Sequence, residues 1–239
     1  MKELEDYSWF PSALRDAQTE FIGFVVSRFN VYQGFLHHLK TLSLHRWPMT
    51  DLCSGSGEPA ISIFSKSDWF TALSLSDKYP NVSRYEDERI TYDGQATDVL
   101  DMDFEQGRYY TMFNAFHHFS DEEKAGIVRQ IQRSGSGAFI VEILEPTIVC
   151  FLEVFFTTTI GSLLLTPFVR PFSLKRLFFT YVLPLNVLAI TYDGILSVLK
   201  SRSVVQYRTL LGHDASGLSV FRLKSRWSHL VVIQIDPRK

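Results

Sequence analysis

Cysteine is scarce: two in 239 residues, Cys53 in a glycine turn and Cys150 in an apolar run. That excludes a disulfide framework or a cysteine-rich zinc site and points to a reducing compartment. An excess of charge of one sign is also missing. With 24 basic and 26 acidic residues, a net charge of −2 and a pI near 6.4, the chain lacks the electrostatic footprint of a nucleic-acid binder. The start, MKELEDYSWF, is acidic and has no apolar core of a secretory signal, so the expected location is cytoplasmic. Internal repeats and low-complexity tracts are absent. The length suits one α/β domain with an added cap or insertion and is short for two domains.

What is present is an alternation of strand and helix patterns. Apolar positions at helical spacing, Leu4, Phe10, Leu14, Phe21, Val25, Phe29, Phe35 and Leu39, predict two helices over 3–40 broken at Pro11. Strands are expected at 49–52, 72–76, 89–92, 109–113 and 138–143, with helices at 58–66 and 121–133, the latter capped by Ser120. Two closely spaced strands at 219–223 and 229–235 read as an antiparallel pair closing the sheet. The fold class is therefore α/β: a doubly wound, mostly parallel seven-stranded sheet. It divides into a helical cap (1–45), a nucleotide-type core (46–146), an apolar helical insertion (147–200) and C-terminal strands (201–239).

The stretch DLCSGSGEPA, 51–60, reads as strand, tight glycine turn and helix start. Gly55 and Gly57 let a ligand approach the backbone, and the helix start offers unpaired N–H groups. An ordinary structural turn would explain the glycines alone, but Asp77 about twenty residues on supplies the carboxylate that a ribose needs. Gly55-x-Gly57-x-x-Ala60 also satisfies the dinucleotide fingerprint, so a nicotinamide-dependent oxidoreductase stays open. Asp51 separates the two: at the end of the first strand it would repel a pyrophosphate and attract a cationic sulfonium or ammonium.

On these residues the chain resembles class I S-adenosylmethionine-dependent methyltransferases and their Rossmann-like fold. Asp51, Gly55 and Gly57 match the family's acid-x-Gly-x-Gly-x-Gly pattern, with Cys53 where its first glycine usually stands and Ser54 beside it. The resemblance implies S-adenosyl-L-methionine as cofactor. It also implies contacts from Asp77 and Lys78 after the second strand, from Gln95 and Ala96 with adenine, and from Asn114 in MFNAFHHF with the methionine end. The segments ELEDYSWFPSALRDA, SDKYPN, TPFVRPF and YDGILSVLKS resemble a bacterial set of class I methyltransferases with an apolar insertion after the fifth strand; that likeness brings no substrate.

Methyl transfer is an in-line displacement at the sulfonium carbon, served chiefly by alignment and exclusion of water. A hydroxyl or amine acceptor is helped by a base, and His117 or His118 is the side chain of suitable ordinary pKa. A histidine pair at a strand end also serves simply to pack or cap, and no cysteine or carboxylate spacing in sequence makes this pair metal ligands, so no metal is expected. Glu142 and Glu145, unusual in and after an apolar strand, suggest either a polar cleft or a salt bridge. Trp9, Asp16, Glu142 and Tyr181 are the candidate acceptor contacts.

The runs IVCFLEVFFTTTIGSLLLTPFV and LFFTYVLPLNVLAI flank RPFSLKR. Glu153, three threonines and Pro184 argue against a spanning hairpin, and Arg170, Lys175 and Arg176 would lie on the wrong side of it. The insertion is expected to lid the cleft, form a homodimer face or dip into one leaflet, peripheral on the inner membrane surface. The acceptor is then hydrophobic or lipid-like. If the insertion encloses it, a dry pocket of Phe155, Leu163, Phe168, Phe178 and Tyr181 near the cofactor's methyl group is expected, whereas leaflet contact predicts salt-sensitive binding to anionic lipid through Arg170, Lys175 and Arg176. Rival functions are a non-methyl-transfer reaction such as a cyclisation on the same fold, and a non-catalytic membrane-associated binding module.

Overall fold

A computed structural model describes residues 2–81, 87–212, 217–226 and 229–238. Seven strands form one sheet: β1 (Met49–Leu52), β2 (Leu73–Ser76), β3 (Ile90–Tyr92), β4 (Tyr109–Phe113), β5 (Gly137–Glu142), β6 (Leu218–Lys224) and β7 (His229–Ile235), in the order β3-β2-β1-β4-β5-β7-β6. All neighbours pair in parallel except β7, which runs antiparallel to both β5 and β6. The expected terminal pair is present, with β7 inserted between β5 and β6. Every residue of β1, β4 and β5 is buried, as for parallel strands covered on both faces.

The helices are α1 (Ser12–Arg28), α2 (Gln33–Leu39), α3 (Ala60–Ser65), α4 (Asp121–Ser134), α5 (Ile148–Phe156), α6 (Ser162–Leu165), α7 (Leu174–Tyr181), α8 (Leu185–Lys200) and α9 (Val204–Leu211). Alternate side chains of the strands sort into two cores. Tyr109, Phe113, Phe139 and Val141 meet Phe35 and Leu39 of α2 and Ile63 and Phe64 of α3; Tyr110, Met112 and Ile140 meet Ile127 and Ile131 of α4 and Tyr207 of α9.

The cap differs from its sequence pattern. Leu4–Asp6 form a single 3-10 turn, and the longer helix breaks a second time at Asn30, whose φ of 51° is left-handed. The C-terminal segment holds α9 as well as strands. Its N-cap is a capping box between Ser203 and Gln206, a Ser-x-x-Gln signature legible in the sequence.

The insertion begins with one continuous helical path from Ile148 to Phe168, 21 residues of mean hydropathy 2.0, long and apolar enough to cross a membrane. A π turn at Thr157–Gly161 links α5 to α6. Two of the three threonines that weighed against a membrane, Thr158 and Thr159, bury their polarity inside the helix. Thr158 Oγ1 donates to the Val154 carbonyl at 2.8 Å and Thr159 Oγ1 to the Phe155 carbonyl at 2.6 Å, a back-bonding that hides hydroxyls from an apolar surrounding. A bend of 79° separates α7 from α8, with Pro184 as the N-cap of α8.

Candidate functional site

In an open α/β sheet ligands gather outside the carboxyl ends of the strands where strand order reverses. Here that point lies between β1 and β4, which pair Leu52 with Met112. The turn after β1 and the segment after β4 flank a cavity of about 890 Å³. Cys53, Gly55 and Gly57 all have left-handed backbone, φ 55°, 52° and 87°. The left-handed Cys53 explains why a glycine is the expected residue there. Asp77 fixes the turn: Gly55 N donates to its Oδ2 and Tyr79 N to its Oδ1, both at 2.8 Å. Tyr92 adds a hydroxyl bond to the Gly55 carbonyl at 2.7 Å.

The roof of the cavity is a strap formed by residues 2–7 together with α1. Asp193 of α8 accepts the Leu4 amide at 2.6 Å and the Glu5 amide at 3.3 Å. Arg15 donates to the carbonyls of Glu5 at 3.0 Å and Tyr7 at 2.8 Å. Ser56 Oγ ties the glycine turn to the Thr19 carbonyl of α1 at 3.1 Å. Beneath the strap, His117 Nδ1 meets Glu142 Oε2 at 2.7 Å, while Glu142 Oε1 accepts the Phe116 amide at 2.7 Å. His118 Nδ1 meets Asp6 Oδ1 at 3.0 Å. Both Nε2 atoms face Glu3, whose Oε1 lies 4.0 Å from that of His117 and whose Oε2 lies 3.5 Å from that of His118. Lys200 Nζ completes the group at 2.9 Å from Glu3 Oε1.

Burial works against charging His118, but the carboxylates of Glu3, Asp6 and Glu5 outweigh it and push its pKa up to about 9. It carries its proton at neutral pH and is no general base there. This corrects the expectation of an ordinary histidine. His117 is the imidazole whose Nε2 is left for proton transfer by geometry. Asp51 is pushed up to about 7 by burial, against donors from Thr111 and Ser54.

Of the sequence-predicted residues, Cys53, Ser54, Gly55, Asp77, Lys78, Asn114, His117, His118 and Asp16 line the cavity. Others lie elsewhere. Asp51 is buried below the turn, its Oδ1 accepting Thr111 Oγ1 at 2.6 Å, so it supports the loop and does not line the cavity. Gly57 turns away to start α3, its amide on the Ser54 carbonyl. Gln95 and Ala96 are exposed, and Asp98, Val99 and Leu100 occupy the wall instead. Glu142 stands behind His117 at 1% exposure, where it orients the ring. Glu145 takes the salt-bridge reading, with Arg222 at 2.6 Å. Trp9 is 67% exposed and packs on Tyr7.

The dry pocket expected from Phe155, Leu163, Phe168, Phe178 and Tyr181 does not form: all five are exposed on the outside of the insertion. Its other face, with Val154, Thr158, Gly161, Leu165 and Ile190, lines the cavity, and Glu153 points the same way. The basic tip is also smaller than expected. Arg176 is buried against Glu20 of α1 and the carbonyls of Val169 and Pro171, leaving Arg170 and Lys175 outside. Missed from sequence were Glu3, Asp6 and Asp193, which contact distant residues only through folding; no local signal marks them.

No family model matches the chain, and no curated protein matches it. Solved structures share its fold. The plantazolicin methyltransferase BpumL, in complex with a monoazolic desmethylPZN analog and SAH, is 12% identical with TM-score 0.52, over 95% of this chain and 88% of that one. LaPhzM is 16% identical with TM-score 0.52, over 92% and 57%. The pyocyanin biosynthetic protein PhzM is 15% identical with TM-score 0.51, over 86% and 55%. The chain thus spans little more than half the length of several of the structures it matches.

Proposed function

We propose that the chain is an S-adenosylmethionine-dependent methyltransferase whose acceptor is hydrophobic and reaches the cavity from a lipid leaflet. The observation that carries this reading is the single cavity with two unlike walls: the glycine turn with Asp77 on one side and the inner face of the insertion on the other. Asp77 keeps free lone pairs on both oxygens for ribose hydroxyls. Asp98 to Leu100 would border the adenine, and Asn114 the methionine end. BpumL, with 88% of its length matched, was crystallised with SAH, which supports the same cofactor here. His117, oriented by Glu142, is positioned to take the acceptor's proton as the methyl group transfers.

The acceptor class follows from the surface of the insertion. Ile148, Leu164, Leu188 and Val182 are each at least 64% exposed, part of an apolar face far larger than water tolerates without a partner. With its inner side committed to the cavity, the helix 148–168 would rest in the membrane plane on its outer, apolar face rather than cross it. Arg170 and Lys175 sit where anionic headgroups would be.

Calorimetry with S-adenosylmethionine, S-adenosylhomocysteine and NADH tests the cofactor. Saturable binding of the first two and none of the third is expected; the reverse overturns the reading. Flotation with vesicles containing phosphatidylglycerol tests the surface: wild type should float, and Leu164→Asp with Leu188→Asp should not while still binding cofactor. A wild type that stays unbound and monodisperse without detergent rejects the leaflet.

A further inference from the structure

We infer that Glu3, His117 and His118 form a binding site for a divalent transition-metal ion of the zinc class, bridging the N-terminal strap to the segment after β4. One ligand atom from each lies within 4.8 Å of the other two. Tetrahedral zinc with bonds of about 2.0–2.2 Å holds its ligands roughly 3.5 Å apart. His118 Nε2 is 3.5 Å from Glu3 Oε2 and His117 Nε2 is 4.0 Å from the other oxygen, Oε1. Bringing one oxygen and both nitrogens onto one ion takes a rotation of the carboxylate and a contraction of roughly an ångström from the 4.8 Å spread.

The hydrogen bonds behind the ligands make this more than a chance cluster. Both imidazoles present Nε2 to Glu3 because both Nδ1 atoms are engaged by carboxylates, His117 by Glu142 and His118 by Asp6. That pairing of a ligating histidine with an outer carboxylate fixes the tautomer and raises the basicity of the ligand nitrogen. Both structural details are built from distant parts of the chain, and Glu142 spends its other oxygen on a backbone amide.

Charge balance points the same way. Glu3, Glu5, Asp6 and Glu142 converge here, with Lys200 as the lysine that reaches Glu3 and Asp6. A divalent ion would add cationic charge among these carboxylates. Two histidines and one carboxylate leave a fourth coordination position. All three ligands line the cavity, so that position opens toward a bound acceptor or water. The ion would take up His117 Nε2, the nitrogen proposed above to accept the acceptor's proton, so ion-loaded chain and proton acceptance by His117 exclude one another. The metal titration needs no methyl donor and reads the site separately from the cofactor titration.

The test uses the full chain, tagged at its C-terminus with the tag removed, stripped with EDTA and titrated with ZnCl2 by calorimetry. Stoichiometry is read by mass spectrometry of the metal. A single saturable ion per chain is expected in wild type, lost in His117→Ala and in Glu3→Gln. Glu142→Gln, which keeps all three ligands, should weaken binding roughly 10–100-fold. Hydrogen exchange of residues 2–7 should slow on adding Zn2+, because the ion pins Glu3. Glu3→Gln changes a strap residue and spares the strand core, so it keeps the test readable if His117→Ala does not fold. Absence of saturable binding overturns the proposal, as does equal binding by wild type and Glu3→Gln, which would place the ion on other histidines such as His37 and His38.

Discussion

Asp77→Asn is the most direct probe of the cofactor wall. The two oxygens of Asp77 accept the amides of Gly55 and Tyr79, each at 2.8 Å, so the carboxylate shapes the turn before any ligand arrives. An asparagine has one acceptor oxygen and one NH2 group. One of the two backbone amides would then face a donor, and the negative charge that strengthens a bond to a ribose hydroxyl would be gone. Losing a charge-assisted bond costs about 1.5–3 kcal/mol, which lowers S-adenosylmethionine affinity roughly ten- to hundred-fold. Thermal melting reports the cost to the fold separately. Calorimetry below the melting range, repeated with a 2′-deoxyribose analogue of the cofactor, then isolates the direct contact. If Asp77 holds the ribose, the variant's penalty shrinks for the analogue, because the partner hydroxyl is already absent. An equal penalty for both ligands confines Asp77 to supporting the turn, and unchanged affinity would refute the placement of ribose at this carboxylate.

Three further outcomes are expected. Burial holds the Asp51 carboxyl at about 7 in the folded chain against 3.8 ordinarily, so the fold keeps a proton that the unfolded chain releases; its stability falls from about pH 4 to pH 7 and is level above. Asp51→Asn removes this slope, with a gain over wild type that grows with pH toward on the order of 4 kcal/mol; melting curves at pH 5 and pH 8 that shift equally would contradict it. Burial raises the thiols of Cys53 and Cys150 above their usual range, so both should alkylate more slowly than free cysteine at pH 8 by intact-mass measurement. Cofactor should slow Cys53 further. Gly194 of α8 lies where a Cβ would come within 2.8 Å of Val154 on α5; Gly194→Val should cost about 1–3 kcal/mol in chemical denaturation by forcing α5 and α8 of the insertion apart, and an unchanged midpoint would show that the helices can separate freely.

Local patterns carried much of the fold. Strands β4 and β7 span the residues that their apolar runs predict, and the capping box at Ser120 and Glu123 sets the start of α4. The glycine turn was equally legible, since left-handed backbone and close approach demand particular residues at adjacent positions. The mistaken assignments share a cause. Asp51, Gln95 and Glu142 sit at the right sequence distance from the turn, but whether a side chain faces the cavity, the core (Asp51, Glu142) or solvent (Gln95) depends on a fraction of a turn in the backbone, which spacing does not specify.

The sequence by itself determined the alternation of strands and helices, the glycine turn with its carboxylate and the presence of an apolar insertion, because each follows from short-range periodicity or from the conformational freedom of single residues. Tertiary structure decided which side of the insertion faces the cavity, that Thr158 and Thr159 bond back to their own helix, and that Glu3 reaches His117 and His118. Those outcomes depend on contacts between residues far apart in the chain, whose energies exist only when α8, the strap and the end of β4 are brought together.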